Sequence, residues 1–181
     1  MTQKTYTSEG VVLSRKNYAE ADRILVLFTK HYGKITLLAK GVRKLSSKKR
    51  GHIEIFSKVK FSAVKGKSMD IITETETIDA YDQVRLNLNK ISLAYYFCEV
   101  ILKITKDWED DIKLYRILVD SLFDLQHRIN LKKLRKEFIT KVLIQLGFWD
   151  EEKKLSDPDA ELNEVIERKL NSVRVGRKVL E

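Results

Sequence analysis

The chain has 181 residues, 43% of them hydrophobic and 34% charged, with a net charge of +9 and a single cysteine, Cys98. That composition is globular rather than disordered, and the length allows one large domain or two small ones. One thiol excludes an internal disulfide and a cysteine-based zinc site; no run of 18 apolar residues predicts a membrane helix, and the opening MTQKTYTSEG lacks a signal's apolar core, so a cytoplasmic location is expected.

The first part of the chain reads as strands. Residues 11–15, 23–29, 35–40, 58–65 and 69–77 are short and β-rich, and turn signals separate them, such as Tyr32-Gly33-Lys34 and Gly66-Lys67. In 58–65 the alternation sets Val59, Phe61 and Ala63 on one face and Lys58, Lys60 and Ser62 on the other. In 69–77 it sets Asp70, Glu74 and Glu76 on a face with Ile72. The run 23–29 is apolar on both faces, which predicts a strand covered twice. Five strands in about 80 residues fit a closed or nearly closed barrel, because closure removes exposed edges.

Between the third and fourth strands, residues 40–52 read KGVRKLSSKKRGH. Lys40 to Arg50 holds six basic residues and no acidic one, so a long loop, or one with a single helical turn, is expected there.

After the strands the period changes, near Asp79–Arg85. Residues 86–106 predict a helix with two apolar stripes, one of Leu88, Ile91, Tyr95, Cys98 and Leu102, the other of Leu93, Phe97, Val100 and Ile104. Residues 111–128 predict a second, with Ile112, Tyr115, Leu118, Val119, Leu122 and Leu125 inward, and acids Glu109-Asp110-Asp111 at its start. Residues 131–147 predict a third, with Leu134, Phe138, Val142 and Leu146 inward and Gly147 as its stop. Its outer face carries Lys132, Lys133, Arg135, Lys136 and Lys141. The polar stretch 150–159 then leads to a last helix over about 160–171, with Asp159 as its N-cap.

Charge is segregated along this order. Residues 1–80 hold 16 Lys+Arg against 8 Asp+Glu, and the remainder holds 19 against 18. A field concentrated on one module attracts a polyanion to it. Lys40, Arg43, Lys44, Lys48, Lys49 and Arg50 form the core of the expected phosphate-binding patch, and Arg15, Lys16, Lys58, Lys60, Lys65 and Lys67 extend it. Tyr18, Tyr32 and Phe56 lie at strand ends or loops, where aromatics stack on unpaired bases; Tyr18 and Tyr32 are the candidates, and Phe28 and Phe61 belong to the core. The basic face of the third helix, Lys132, Arg135 and Lys136, with Phe148 and Trp149 beyond it, suggests a groove for an acidic, apolar peptide.

Enzyme chemistry has no carrier. Gly41 and Gly51 lack the spacing of a phosphate-binding loop, and His31, His52 and His127 show no metal-ligand spacing. Cys98 sits on an apolar stripe, where a thiol is inert packing. No catalytic residue, metal or cofactor is expected.

The segment from Gly10 to Val64 resembles the RecO family of recombination mediators. Ala21-Asp22-Arg23-Ile24 leads the second strand into Phe28-Thr29; Gly33-Lys34-Ile35 and Ala39-Lys40-Gly41-Val42-Arg43 follow; Glu54-Ile55-Phe56 runs into the fourth strand. The three helices fit the family's helical domain, and Val165 to Leu180 looks like its C-terminal helix and tail. The resemblance implies an α+β chain: a five-stranded OB-fold β-barrel over residues 1–80, then an all-α domain over 81–181. It implies binding of single- and double-stranded DNA, strand annealing, and loading of RecA onto DNA coated by single-strand-binding protein, in the cytoplasm at the nucleoid. RecR and the acidic C-terminal tail of the single-strand-binding protein would be partners. One departure is plain: many members carry a cysteine-rich zinc module where this chain has DEEKKLSDPD. An RNA-binding OB protein and a basic adaptor for acidic proteins are the alternative readings.

Overall fold

The computed structural model describes residues 5–47, 49–150 and 157–167. Strands β1 (Thr5–Tyr18), β2 (Asp22–Thr29), β3 (Gly33–Ala39), β4 (Lys58–Val64) and β5 (Asp70–Asp79) close into a barrel in the order β1-β2-β3-β5-β4. Only the β3–β5 ladder is parallel, and it is short, pairing Leu37 with Asp70 and Leu38 with Ile71. This is the five-stranded OB fold. The strands fall where the sequence pattern sets them, except that β1 is far longer than its apolar centre. Its polar flanks are held because the first half pairs with β4 and the second with β2.

The barrel interior is apolar: Val12, Leu25, Leu27, Ile35, Leu37, Val59, Phe61, Ala63 and Ile72 are all buried in it. Val59, Phe61 and Ala63 point inward, as their alternation predicts. β5 departs from expectation. Ser62 pairs with Glu74 but Ala63 pairs with Ile72, so Thr73 is an extra residue. This bulge reverses the parity of the strand. Ile72 stays in the core, while Glu74 and Glu76, expected on its face, are exposed.

The run 23–29 is covered on both sides. Leu25 and Leu27 face the barrel interior, whereas Phe28 joins Val11, Leu13 and Phe56 in a second core shared with the helices.

The helices are α1 (Asp82–Arg85), α2 (Leu88–Ile104), α3 (Ile112–His127) and α4 (Leu131–Gln145). Side chains of Asn87, Asp111 and Asn130 cap the N-termini of α2, α3 and α4. Asp111 thus explains the acids at the start of α3: it accepts the Leu114 N–H at 2.9 Å. α4 ends in a Schellman turn at Gly147 (φ +74), where the Gly147 N–H donates to Ile144 and the Phe148 N–H to Leu143, both at 2.9 Å.

α2 buries one of its two stripes fully and the other only in part. Leu93, Phe97, Val100 and Ile104 are buried together with Ala94, Cys98 and Ile101, but Leu88 and Tyr95 are exposed. Its inner face lies over β1 and meets α4 through Phe97 and Phe138, whose ring centroids are 4.2 Å apart. Ile112 of α3, expected inward, is exposed, Val119 and Leu146 are only partly buried, and Leu114, Ile139 and Leu143 join the core.

The last helical segment spans 158–167. Asp157, not Asp159, caps it, accepting the N–H groups of Asp159 and Ala160 at 3.1 Å each. Pro158 therefore occupies the first turn, where a missing N–H loses no bond. The expected residues 168–171 and the family-like tail after Asn171 lie outside the described residues.

Candidate nucleic-acid interface

The basic loop is fastened to one end of the barrel. Val42 and Ile53 are fully buried in the barrel core and anchor the loop at both ends. Asp22 Oδ1 accepts the Gly41 N–H at 2.7 Å, and the Arg43 N–H donates to the Ala21 carbonyl at 2.9 Å. The Arg43 guanidinium donates to the carbonyls of Glu20 (3.0 Å) and Ala19 (3.4 Å) in the β1–β2 turn. Two of the sequence motifs, around Asp22 and around Gly41, are thus halves of one joint. Gly41 adopts φ +64 within it, a conformation that suits glycine.

The cations of the loop differ in availability. Lys40 and Lys44 are exposed. Lys49 is half-buried and its Nζ donates to the Ile72 carbonyl at 3.3 Å. Lys48 and the side chain of Arg50 lie outside the described residues. Between loop and β5 runs a cleft of about 410 Å³, lined among others by Lys44, Ser46, Ser47, Lys49, His52, Thr73 and Thr75, and also by the acid Glu74. His52 is turned to the barrel: its Nδ1 accepts the Thr77 N–H at 3.3 Å and lies 2.8 Å from Thr77 Oγ1. Cations beside hydroxyls in an open cleft suit phosphate oxygens.

The flanking candidates separate into groups. Lys16 is exposed and Tyr18 is 51% exposed, at the barrel end where the loop is fastened. Arg15 is paired with Glu54, and Lys58 with Glu9 at 3.5 Å. Lys60 is exposed but shares a shallow cleft with Glu74 and Glu76, which the β5 bulge turns outward. Lys65 and Lys67 belong to the β4–β5 turn, near the start of β1 rather than its end. Tyr32 is half-buried against the barrel core, edge-on to Tyr6 at 4.9 Å.

Phe56, expected at an accessible strand end, is instead core. It is 1% exposed at φ +58, under the Arg85 guanidinium at 4.0 Å. Arg85 also donates to the Ile55 carbonyl (3.1 Å) and Ser57 Oγ (2.8 Å), so Glu54-Ile55-Phe56 ties the barrel to α1. Gly33-Lys34 is a third joint. Gly33 has φ +63, and a Cβ there would stand 2.1 Å from the Glu109 carbonyl oxygen. Lys34 Nζ donates to the carbonyls of Leu102 (3.1 Å) and Thr105 (2.6 Å) at the end of α2 and lies 3.4 Å from Asp107, a cation at a helix C-terminus.

A second surface lies on the helices. Lys132, Lys133, Arg135, Lys136 and Lys141 are exposed on α4. Lys132 and Arg135 line a groove of about 500 Å³ with Leu93, Tyr96 and Leu131. Lys136 is one residue past that lining. Phe148 and Trp149 lie past the other end of α4, about 20 Å away along the helix axis. Arg135 stacks on Tyr96 at 4.5 Å and donates to Asp159 at 2.6 Å.

Burial pushes the Cys98 thiol up to about 12, which keeps it protonated and inert. Among the described residues no group of three or more His, Cys, Asp or Glu is placed to hold a metal, and no helix is long and apolar enough to cross a membrane. Trp108, 49% exposed in the polar link between α2 and α3, is an accessible aromatic that the sequence pattern does not single out.

Residues 1–81 match the family described as "Recombination protein O N terminal". The chain is 30% identical over 145 residues to the DNA repair protein RecO of Pelotomaculum thermopropionicum, covering 80% of this chain and 56% of that protein. It is 31% identical over 125 residues to the DNA repair protein RecO of Gloeothece citriformis, covering 69% and 44%. It is 29% identical over 144 residues to that of Clostridium novyi, covering 79% and 56%. The chain thus spans about half the length of the curated relatives it matches.

Proposed function

Because the chain belongs to the RecO family, we infer that it is a DNA-repair and recombination mediator that acts by binding and positioning DNA rather than by making or breaking bonds. The observation that carries this reading is the acid-free loop from Lys40 to Arg50 fastened across one end of an OB barrel. Lys40, Lys44 and Lys49, with Lys48 and Arg50 of the same run, neutralise phosphates of single- or double-stranded DNA, and Lys16 and Tyr18 extend the contact. Arg15, Lys58 and Lys60 contribute less, since acids already face them. Neutralising two backbones at once lowers their repulsion, which is what strand annealing requires.

The helical surface serves partners. The α2–α4 groove takes the acidic C-terminal tail of single-strand-binding protein, with Lys132 and Arg135 on its carboxylates and Leu93, Tyr96 and Leu131 against its apolar side chains. Lys136, Phe148 and Trp149 lie outside that lining and meet partner residues beyond the tail. RecR binding and RecA loading on coated DNA complete the role, in the cytoplasm at the nucleoid.

Salt-dependent binding to oligonucleotides tests the reading. Affinity for single-stranded DNA should fall steeply with salt, with a log–log slope of several units if roughly five or more phosphates are engaged. Replacing Lys48, Lys49 and Arg50 by alanine should flatten the slope by roughly two units or more. No binding at low salt overturns the reading, and tighter binding to structured RNA redirects it to RNA. An annealing assay on DNA coated with single-strand-binding protein tests the partner surface together with the DNA surface.

A further inference from the structure

Trp108, 49% exposed, stands at the barrel end opposite the basic loop. Trp108 lies in the link between α2 and α3, which is clamped to the barrel. Its N–H donates to the Lys34 carbonyl at 2.9 Å, and the next residue, Glu109, packs its backbone on Gly33. The residue adopts φ +62, a left-handed conformation that a bulky side chain rarely takes and that accumulates at functional sites. Lys65, from the β4–β5 turn, sets its Nζ over the ring at 3.9 Å while bonding Asp70 at 2.9 Å. Tyr6 lies beside the ring, with centroids 6.5 Å apart and planes tilted by 60°, and the same Lys65 Nζ is 5.1 Å from its centroid. Lys65 thus holds the ring in place, and the residue remains 49% exposed.

The surroundings suit a base better than a phosphate. Asp107 lies 3.4 Å from Lys34 and Glu109 4.0 Å from Lys106, and Asp110 and Asp111 follow them, so the link around the indole is acidic on balance and offers an aromatic plane rather than cations for phosphate. The β4–β5 turn is one of the loops with which OB barrels hold oligonucleotides, beside the face of the second and third strands. Here the outward residues of β3 lead from Lys40 of the basic loop through Leu38 and Thr36 to Lys34, a span of about 20 Å. Leu38 and its cross-strand neighbour Ile24 are only half-buried on that face.

We propose that Trp108 is a stacking platform for an unpaired base of single-stranded DNA, which enters at the basic loop, crosses β3 and ends on the indole. The proposal rests on the DNA-binding reading above but assigns a contact from the helical part of the chain. It differs from phosphate contact in requiring unpaired bases.

The test uses the full chain, oligo(dT) and a duplex of equal length, each end-labelled for anisotropy. The tryptophan emission of the wild type, less that of Trp108→Phe, isolates the Trp108 signal. That signal should be quenched along the same isotherm as the oligo(dT) anisotropy, and duplex should bind without quenching it. Trp108→Gly, whose backbone suits φ +62, should bind oligo(dT) about tenfold more weakly while binding duplex as the wild type does. Oligo(dT) that saturates the anisotropy without quenching, or a Trp108→Gly chain with undiminished affinity, overturns the platform and leaves the DNA-binding reading standing. A wild type that shows no anisotropy change with either DNA overturns the DNA-binding reading itself.

Discussion

At the scale of single residues, the motifs that identify the family are mostly fasteners. Asp22 holds Gly41, Lys34 caps α2, and Arg85 covers Phe56. A sequence cannot separate such a lysine from a phosphate-binding one, because both are isolated cations beside a turn; only the carbonyls around Lys34 Nζ decide it. Asp70 is a fastener with a pH signature. Burial alone would raise its carboxyl, but hydrogen bonds from Lys65, Tyr6 and the Gly66 N–H outweigh that and hold it below its ordinary value. A carboxyl depressed in the folded state stabilises the fold above its unfolded value, and the contribution is lost as pH falls through the depressed folded value. Asp70→Asn should therefore be less stable than the wild type at neutral pH, with the gap closing on acidification below the ordinary carboxylate range. Urea midpoints measured from pH 7 downward check this, and a gap independent of pH would show that Asp70 acts through shape alone.

At the scale of elements, what was legible followed period and what was not followed tertiary contact. β4 was legible because its alternation is unbroken and one face is buried. β5 was not, because the bulge at Thr73 leaves no mark in composition yet turns Glu74 and Glu76 outward. That same bulge explains why β4 contributes little to a basic track. The two stripes of α2 were both visible, but which one is buried depends on where β1 and α4 lie. The last helix starts two residues before the expected position, because Asp157 and Asp159 flank Pro158 and either can cap a helix. That shift has a consequence, for it frees Asp159 to reach Arg135 and Tyr96 on the α2–α4 groove. A carboxylate there occupies the guanidinium that a partner's acidic tail would use. Asp159→Asn should tighten binding of an acidic, apolar-ended peptide to this groove by about two- to fivefold, the range for releasing an exposed ion pair. Calorimetric titration reads it directly, and an unchanged or weakened affinity would place the tail elsewhere.

At the scale of the whole molecule, the change of period near residue 80 suggests two modules, whereas the packing joins them. Val11, Leu13, Phe28 and Phe56 of the barrel are buried in the same core as Leu93, Phe97, Leu118 and Phe138 of the helices. Uncovering the four barrel side chains would cost on the order of 1.5–3 kcal/mol each, comparable in sum to the stability of a small domain. Lys34 and Gly33 add polar and steric contacts along the same seam. The barrel and helices should therefore unfold together. In urea, the loss of helical far-ultraviolet dichroism and the change in Trp108 emission at the barrel seam should superimpose on one transition. Gly33→Ala brings a Cβ against the Glu109 backbone and enforces φ +63 on a residue that resists it, a penalty of about 3 kcal/mol. If the seam is shared, that substitution moves both signals to lower urea by the same amount. If it moves the Trp108 signal and leaves the helical one in place, the modules are independent, and the family motifs at the seam then serve the barrel alone.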